Sequence, residues 1–155
     1  MKISKLALSL SETDINSGLV STLAKMAETQ GEALKKLKDP KVVLKDGLLI
    51  FKCKASMGFL PVPVEAQIRL APAQSGSAID ITLAKVSLAM MGGDAIAGQL
   101  MGQLTAAVEG KPGLSVVGNT LTVALSTVAQ LRGIVLGGKL NEISILNGTL
   151  ALDFS

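Results

Sequence analysis

The sequence contains no histidine, no tryptophan and no tyrosine, and it has a single cysteine. Without histidine the chain cannot form a Ser-His-Asp or Cys-His nucleophilic system, and it lacks the residue most often used for proton transfer near neutral pH. The lone Cys53 excludes an intrachain disulfide and a cysteine-cluster zinc site. We therefore predict no catalytic residue, no metal and no cofactor, and we expect a protein that is not an enzyme.

Aromatic and charged residues are also scarce, at 2% and 17% of the 155 residues, whereas hydrophobic residue types make up 48%. This composition excludes a disordered chain. Because Phe51, Phe59 and Phe154 are the aromatic residues, the core is predicted to be aliphatic. The length suits a single domain spanning residues 1–155.

Neither a targeting signal nor a transmembrane segment is visible. The apolar part of the N-terminus ends before Glu12 after about five residues, which is shorter than the roughly 7–15 of a signal sequence. The longest uncharged run, Pro112 to Leu131, is interrupted by serine, threonine and asparagine and is typical of two strands. As it stands the sequence predicts a cytoplasmic protein, although its location is otherwise unknown.

The N-terminal segment predicts a strand followed by a helix. Leu6, Leu8 and Leu10 alternate with polar or small residues, which is the period of a half-buried strand. Ser11 fits a helix N-cap, and Asp39-Pro40 ends the helical region. The apolar residues at helical spacing are Ile15, Leu19, Leu23, Met26 and Ala27.

Beyond this point in the chain the apolar residues recur at every second position, which predicts β-strands. Asp46-Gly47 indicates a hairpin turn, and the strand from Val62 to Leu70 has prolines at its start. The alternation of apolar residues shifts by one position at Ala84, which predicts a β-bulge or a sharp bend.

A second helical segment begins after Gly92-Gly93-Asp94 and ends at Gly110. Its apolar stripe is Ile96, Leu100, Leu104 and Val108. Gly118-Asn119 and Asn147-Gly148 indicate two further turns, and residues 126–131 suit a short helix. The predicted fold class is α+β, with two helices on a bent, mostly antiparallel sheet.

Apart from an apolar binding site, the sequence gives little support for any functional site. The carboxylates lie where helix starts, turns or polar strand faces explain them, and the Gly-rich segments 91–94 and 136–139 match no phosphate-binding fingerprint. Cys53 has apolar neighbours at strand spacing and is interpreted as a small buried residue.

A basic run lies within eleven positions, and its members are Lys35, Lys36, Lys38, Lys41 and Lys45. It is either a solvated face or a surface attracted to an anionic membrane. Nucleic acid is not expected as a partner, since Arg69 and Arg132 are the two arginines and aromatic stacking residues do not accompany the lysines.

The apolar excess also has two interpretations. Either the aliphatic side chains pack a core or an oligomer interface, or they leave room for an apolar guest molecule.

The segment from Leu8 to Leu19, a strand that runs into a helix, resembles the opening of bacterial members of the tubular lipid-binding (TULIP, SMP-like) superfamily. In that superfamily a Ser/Thr-Glu-x-x-Ile/Leu-Asn start is common, and Ser11 to Asn16 follows it. Val43-Leu44-Lys45-Asp46-Gly47 is similar to the hairpin that follows in those domains.

The resemblance implies a long helix packed on a highly curved antiparallel sheet, with a second helix and an apolar groove that takes lipid acyl chains. By position it implies these lining residues: Leu19, Leu23, Met26, Phe51, Val64, Ala66, Ile68, Leu100 and Leu104. The expected function is non-enzymatic binding of a lipid or another apolar small molecule. The alternative is a structural or interaction protein whose apolar surface is buried in a homo-oligomer or partner complex.

Overall fold

The computed structural model describes residues 1–30, 37–57, 60–74, 76–88, 91–92, 98, 101–102, 105–106 and 108–155. For residues 22–30, 37, 55–57, 60, 88 and 91–92 it describes the backbone alone. The structure is mixed α and β, as expected, and contains 59% strand against 19% helix, so sheets determine where the apolar faces meet.

Two helices and a series of strands have defined bounds. The helices are α1 (Glu12–Gln30) and α2 (Leu125–Gln130). The strands are β1 (Lys2–Ile3), β2 (Leu6–Ser11), β3 (Leu37–Lys45), β4 (Leu48–Met57), β5 (Leu60–Pro72), β6 (Ala78–Leu88), β7 (Met91–Gly92), β8 (Leu114–Val117), β9 (Thr120–Ala124), β10 (Val135–Leu136), β11 (Leu140–Leu146) and β12 (Thr149–Phe154). Helical backbone is also described at Gly98, Met101, Gly102, Thr105, Ala106 and Val108.

The main sheet is antiparallel and has seven strands in the order β3-β4-β5-β6-β9-β8, with β7 beside β6. The predicted turn at Asp46-Gly47 joins β3 to β4, and both residues have positive φ (52° and 77°) as a tight two-residue hairpin requires. The predicted bulge is present as well. Gln67 faces Lys85 and Ile68 faces Leu83, so Ala84 is the extra residue.

The two faces of the seven-stranded sheet differ in chemistry because successive side chains point to opposite sides. The inner face contains facing pairs such as Phe51 with Ala66 and Ile81 with Leu121. The outer face contains the polar pair Thr82 and Thr120, whose hydroxyl oxygens are 3.0 Å apart. The inner face of this sheet is therefore the more apolar of the two.

A second antiparallel sheet, in the order β11-β12-β2, packs on the inner face of the first. Its hairpin turn at Asn147-Gly148 is also the predicted one, with positive φ at both residues. The core cluster joins the two sheets and consists of Val42, Leu44, Ile145 and Leu150, with exposed fractions of 3%, 4%, 6% and 8%.

Helix α1 begins as predicted, with a capping box between Ser11 and Asp14, but the prediction that Asp39-Pro40 ends the helical region is wrong, because both residues lie within β3. The Ser11 hydroxyl accepts the Asp14 N–H at 3.1 Å, and the Asp14 carboxylate accepts the Ser11 N–H at the same distance. These hydrogen bonds hold the pKa of Asp14 below its ordinary value.

Two polar side chains of α1, Glu12 and Asn16, bind the edge strand β3, and we call them the α1 clasp. Asn16 Nδ2 donates to the carbonyl oxygen of Val42 at 2.9 Å, and Asn16 Oδ1 accepts the Val42 N–H at 2.6 Å. Glu12 Oε1 accepts the Leu44 N–H at 2.7 Å. The clasp thus satisfies backbone groups that a sheet edge leaves unpaired.

The short helix predicted for residues 126–131 is α2, displaced by one residue. A parallel pair of two-residue strands, β1 with β10, was not predicted, because segments this short show no periodicity. No described helix has both the length and the apolar character that crossing a membrane requires.

Candidate functional site

An apolar cleft of about 310 Å³ lies on the inner face of the seven-stranded sheet. Strands β4, β5, β6 and β9 form its floor, and Met101 of the helical segment completes the lining. Its lining residues are Phe51, Ala66, Ile68, Ile81, Leu83, Met101, Asn119 and Leu121.

The strand register explains why these residues meet. The facing pairs Ile68 with Leu83 and Ile81 with Leu121 continue one apolar surface across three strands. Ala66 faces Phe51, so a small side chain lies opposite a large one and leaves space above the sheet. Met101 and Ala66 are buried and Asn119 is exposed, whereas the other lining side chains are half-buried, which leaves aliphatic surface available for contact.

Among the residues that the structure describes, no polar atom contributes to the surface of the cleft. Asn119 is the polar residue in its lining, and the Asn119 backbone carbonyl accepts the Leu83 N–H at 2.9 Å, which joins the β8–β9 turn to β6. None of the described lining residues has a titratable side chain. The described lining can shield an aliphatic group from water, and its residues include neither a nucleophile nor a titratable proton donor.

Three of the residues implied by the resemblance, Phe51, Ala66 and Ile68, line the cleft. Val64 lies on the same sheet face, opposite Cys53, but outside the cleft lining. Leu19 packs against the core cluster instead.

The other implied lining residues have no described side chain. Leu23 and Met26 belong to the part of α1 for which the backbone alone is described, and Leu100 and Leu104 lie outside the described residues.

Sequence reasoning did not assign Ile81, Leu83, Met101 or Leu121 to the cleft. The alternation of Ile79, Ile81 and Leu83 was visible, but the partner strand of β6 was not. An alternating pattern shows which face of the sheet a residue occupies, but it does not show which residue lies beside it on the neighbouring strand.

Lysines lie together on the outer face of β3 and β4. Lys38 faces Lys54, and Lys41 faces Lys52. Of the predicted basic run, Lys38, Lys41 and Lys45 are exposed on these strands, whereas Lys35 and Lys36 lie outside the described residues. Lys52 and Lys54 were missing from the prediction because they are distant in the sequence. We call the five residues Lys38, Lys41, Lys45, Lys52 and Lys54 the lysine face.

Within the described part of the chain, no group of three or more cysteine, aspartate or glutamate side chains could hold a metal ion. Asp80, which alternates outward on β6, accepts a hydrogen bond from the Thr122 hydroxyl at 2.7 Å and so has a structural partner.

Cys53 is 5% exposed, and burial raises the pKa of its thiol. A raised pKa means less thiolate at a given pH, so at pH about 8 we expect a disulfide reagent to modify the folded protein at least about tenfold more slowly than the urea-unfolded chain. The stability gained from the neutral buried thiol is present below the ordinary cysteine pKa and is lost as pH rises through the raised value. Equal rates in the two states would show that Cys53 is accessible.

The chain matches no protein-family model, no curated protein and no solved structure.

Proposed function

We propose that the protein is a non-enzymatic binding module that holds the aliphatic chain of a lipid or another hydrophobic ligand in the apolar cleft. The observation that supports this most directly is a cleft of about 310 Å³ to whose surface the described lining residues contribute no polar atom. In the proposal the seven-stranded sheet curves around this interior as in TULIP domains, and α1 is the long helix that covers it.

The size and chemistry of the cleft favour one kind of ligand. Its volume is at the lower end of the roughly 300–1,000 Å³ of small-molecule pockets, so it suits a single aliphatic chain. Each buried methylene contributes about 0.8 kcal/mol, so affinity grows with chain length until the cleft is filled. Because no charged side chain is among the described lining residues, a polar headgroup is expected to stay in water.

A matched pair of variants tests the proposal. Ala66 is 7% exposed at the floor of the cleft, whereas Ala84 is an exposed residue of the same sheet, at the bulge of β6. Ala66→Phe is expected to fill the cleft and to weaken binding of a fluorescent fatty acid at least about tenfold, because bulk replaces the guest. Ala84→Phe is expected to leave binding unchanged.

Delipidated protein titrated with the fluorescent fatty acid supplies the measurement, and circular dichroism checks that both variants remain folded. The chain has no tryptophan or tyrosine, so a probe signal is free of their emission. No uptake by the unmodified protein, or equal uptake by both variants, contradicts the proposal.

The competing function is assembly, in which a second copy or a partner covers the same apolar surface. Half-buried inner-face residues and exposed residues such as Leu131 (65%) and Leu146 (70%) favour it. Analytical ultracentrifugation distinguishes the two: carriage predicts a monomer that takes up the fatty acid, and assembly predicts a stable oligomer that does not.

A further inference from the structure

The lysine face brings together charges that strand pairing normally keeps apart. Lys38 and Lys54 are directly opposite each other, and so are Lys41 and Lys52. A register shift between Lys38 and Lys41 adds one residue to β3, so both lysines face partners on β4 although three positions separate them. The bulge therefore concentrates positive charge on one side of the sheet.

Asp39 on β3, Asp46 in the β3–β4 turn and Glu65 on β5 accompany the five lysines, so the surface keeps a net positive charge. The described ion pair is Lys54 Nζ with Asp39 Oδ2 at 3.8 Å, and both side chains are mostly exposed. Glu65 faces Lys52 on β5 but forms no described ion pair with it. Like charges directly opposite each other destabilise a strand pair, so this arrangement favours an anionic partner from outside the chain.

Apolar side chains lie among these lysines. Val43 faces Ile50 on the same outer side, one row from the Lys41 and Lys52 pair, and both are half-buried. Leu48 faces Lys45 at the hairpin end. Lysines around a short apolar strip match the interface of a bilayer, where ammonium groups meet headgroups and aliphatic side chains reach below them.

A depression of about 410 Å³ adjoins this surface. Lys41, Lys52 and Lys54 line it together with Asp39, Glu65 and apolar or small residues. Nucleic acid suits the surface less well, because neither arginine forks nor aromatic stacking residues are present among the residues of the lysine face.

We propose that the lysine face, with Val43, Leu48 and Ile50, docks the protein on an anionic lipid bilayer. The lysines contact phosphate or carboxylate headgroups, and the apolar strip enters the interfacial layer. Docking does not require the apolar cleft to be occupied, because the cleft lies on the opposite face of the sheet.

Vesicle co-sedimentation of the full chain tests this proposal. We expect binding to vesicles of equal parts phosphatidylcholine and phosphatidylglycerol, weak binding to pure phosphatidylcholine, and loss of most binding between about 0.1 M and 1 M salt. The double variant Lys41→Gln/Lys52→Gln should reduce partitioning about 25-fold, since each lysine near an anionic surface contributes about fivefold.

The control variant, Lys111→Gln/Lys139→Gln, removes the same charge from two exposed lysines outside the lysine face and should reduce binding much less. Ala66→Phe should leave vesicle binding unchanged, so failure of fatty acid uptake and failure of docking are distinguishable. Equal losses from the two lysine pairs, equal binding to neutral vesicles, or displacement from anionic vesicles by a tighter-binding RNA would each overturn the proposal.

Discussion

Replacing Leu150 with alanine is expected to lower the free energy of unfolding by about 3 kcal/mol and the melting temperature by about 6–12 °C. Leu150 is 8% exposed and belongs to the core cluster, where it faces Ile145 across the β11–β12 hairpin. This cluster is where the three-stranded sheet meets the edge of the seven-stranded sheet. A cavity at Leu150 therefore removes contacts that hold two sheets together. Urea unfolding followed by circular dichroism measures the change.

The same hairpin contains a control of identical chemistry. Leu146 is 70% exposed and faces Thr149, one position from the Ile145 and Leu150 pair and on the opposite side of the sheet. Leu146→Ala should change the free energy of unfolding by less than about 0.5 kcal/mol. If both variants lose the same stability, burial of Leu150 between the sheets is not what stabilises the hairpin.

Asn16→Ala is expected to destabilise the protein by about 2 kcal/mol, although asparagine is a poor helix former and alanine the best. The Asn16 amide bonds both the N–H and the carbonyl of Val42, and its loss leaves two backbone groups of a buried residue without partners. Asn16→Asp should be about as destabilising, because a carboxylate keeps the acceptor but faces the Val42 carbonyl without a proton to donate.

Ser17 provides the control for Asn16, since it is the next residue of α1 and is exposed. Ser17→Ala should leave stability within about 0.5 kcal/mol of the unmodified protein. Thermal unfolding measures the stability of the three variants. If Asn16→Asp is as stable as the unmodified protein, the hydrogen bond donated to Val42 contributes little.

Local signals in the sequence predicted most of the strands and turns. Asp46-Gly47 and Asn147-Gly148 adopt the positive φ values that favour these residues in hairpins, and Ala84 interrupts the alternation of β6 at the observed bulge. These features depend on neighbouring residues, so a single sequence contains the information. The helix N-cap at Ser11 is of the same kind.

Features formed by distant segments could not be predicted. Asn16 was part of a motif, but the sequence does not show that its amide reaches Val42, 26 positions away. The cleft forms because Leu121 lies beside Ile81, and the lysine face forms because Lys52 lies beside Lys41. Strand order determines each of these contacts, and period-two patterns leave strand order open. Lipid binding, membrane docking and the absence of catalysis stay predictions.

The α1 clasp has a consequence for self-association. Because Asn16 binds the N–H and the carbonyl of Val42 and Glu12 binds the Leu44 N–H, a strand from another molecule cannot pair with these groups of β3. The other end of the seven-stranded sheet is β8, where Val117 is 80% exposed. If two molecules pair through β8, the clasped part of β3 at each outer end of the joined sheet opposes the addition of a further strand there, which favours a dimer over a filament.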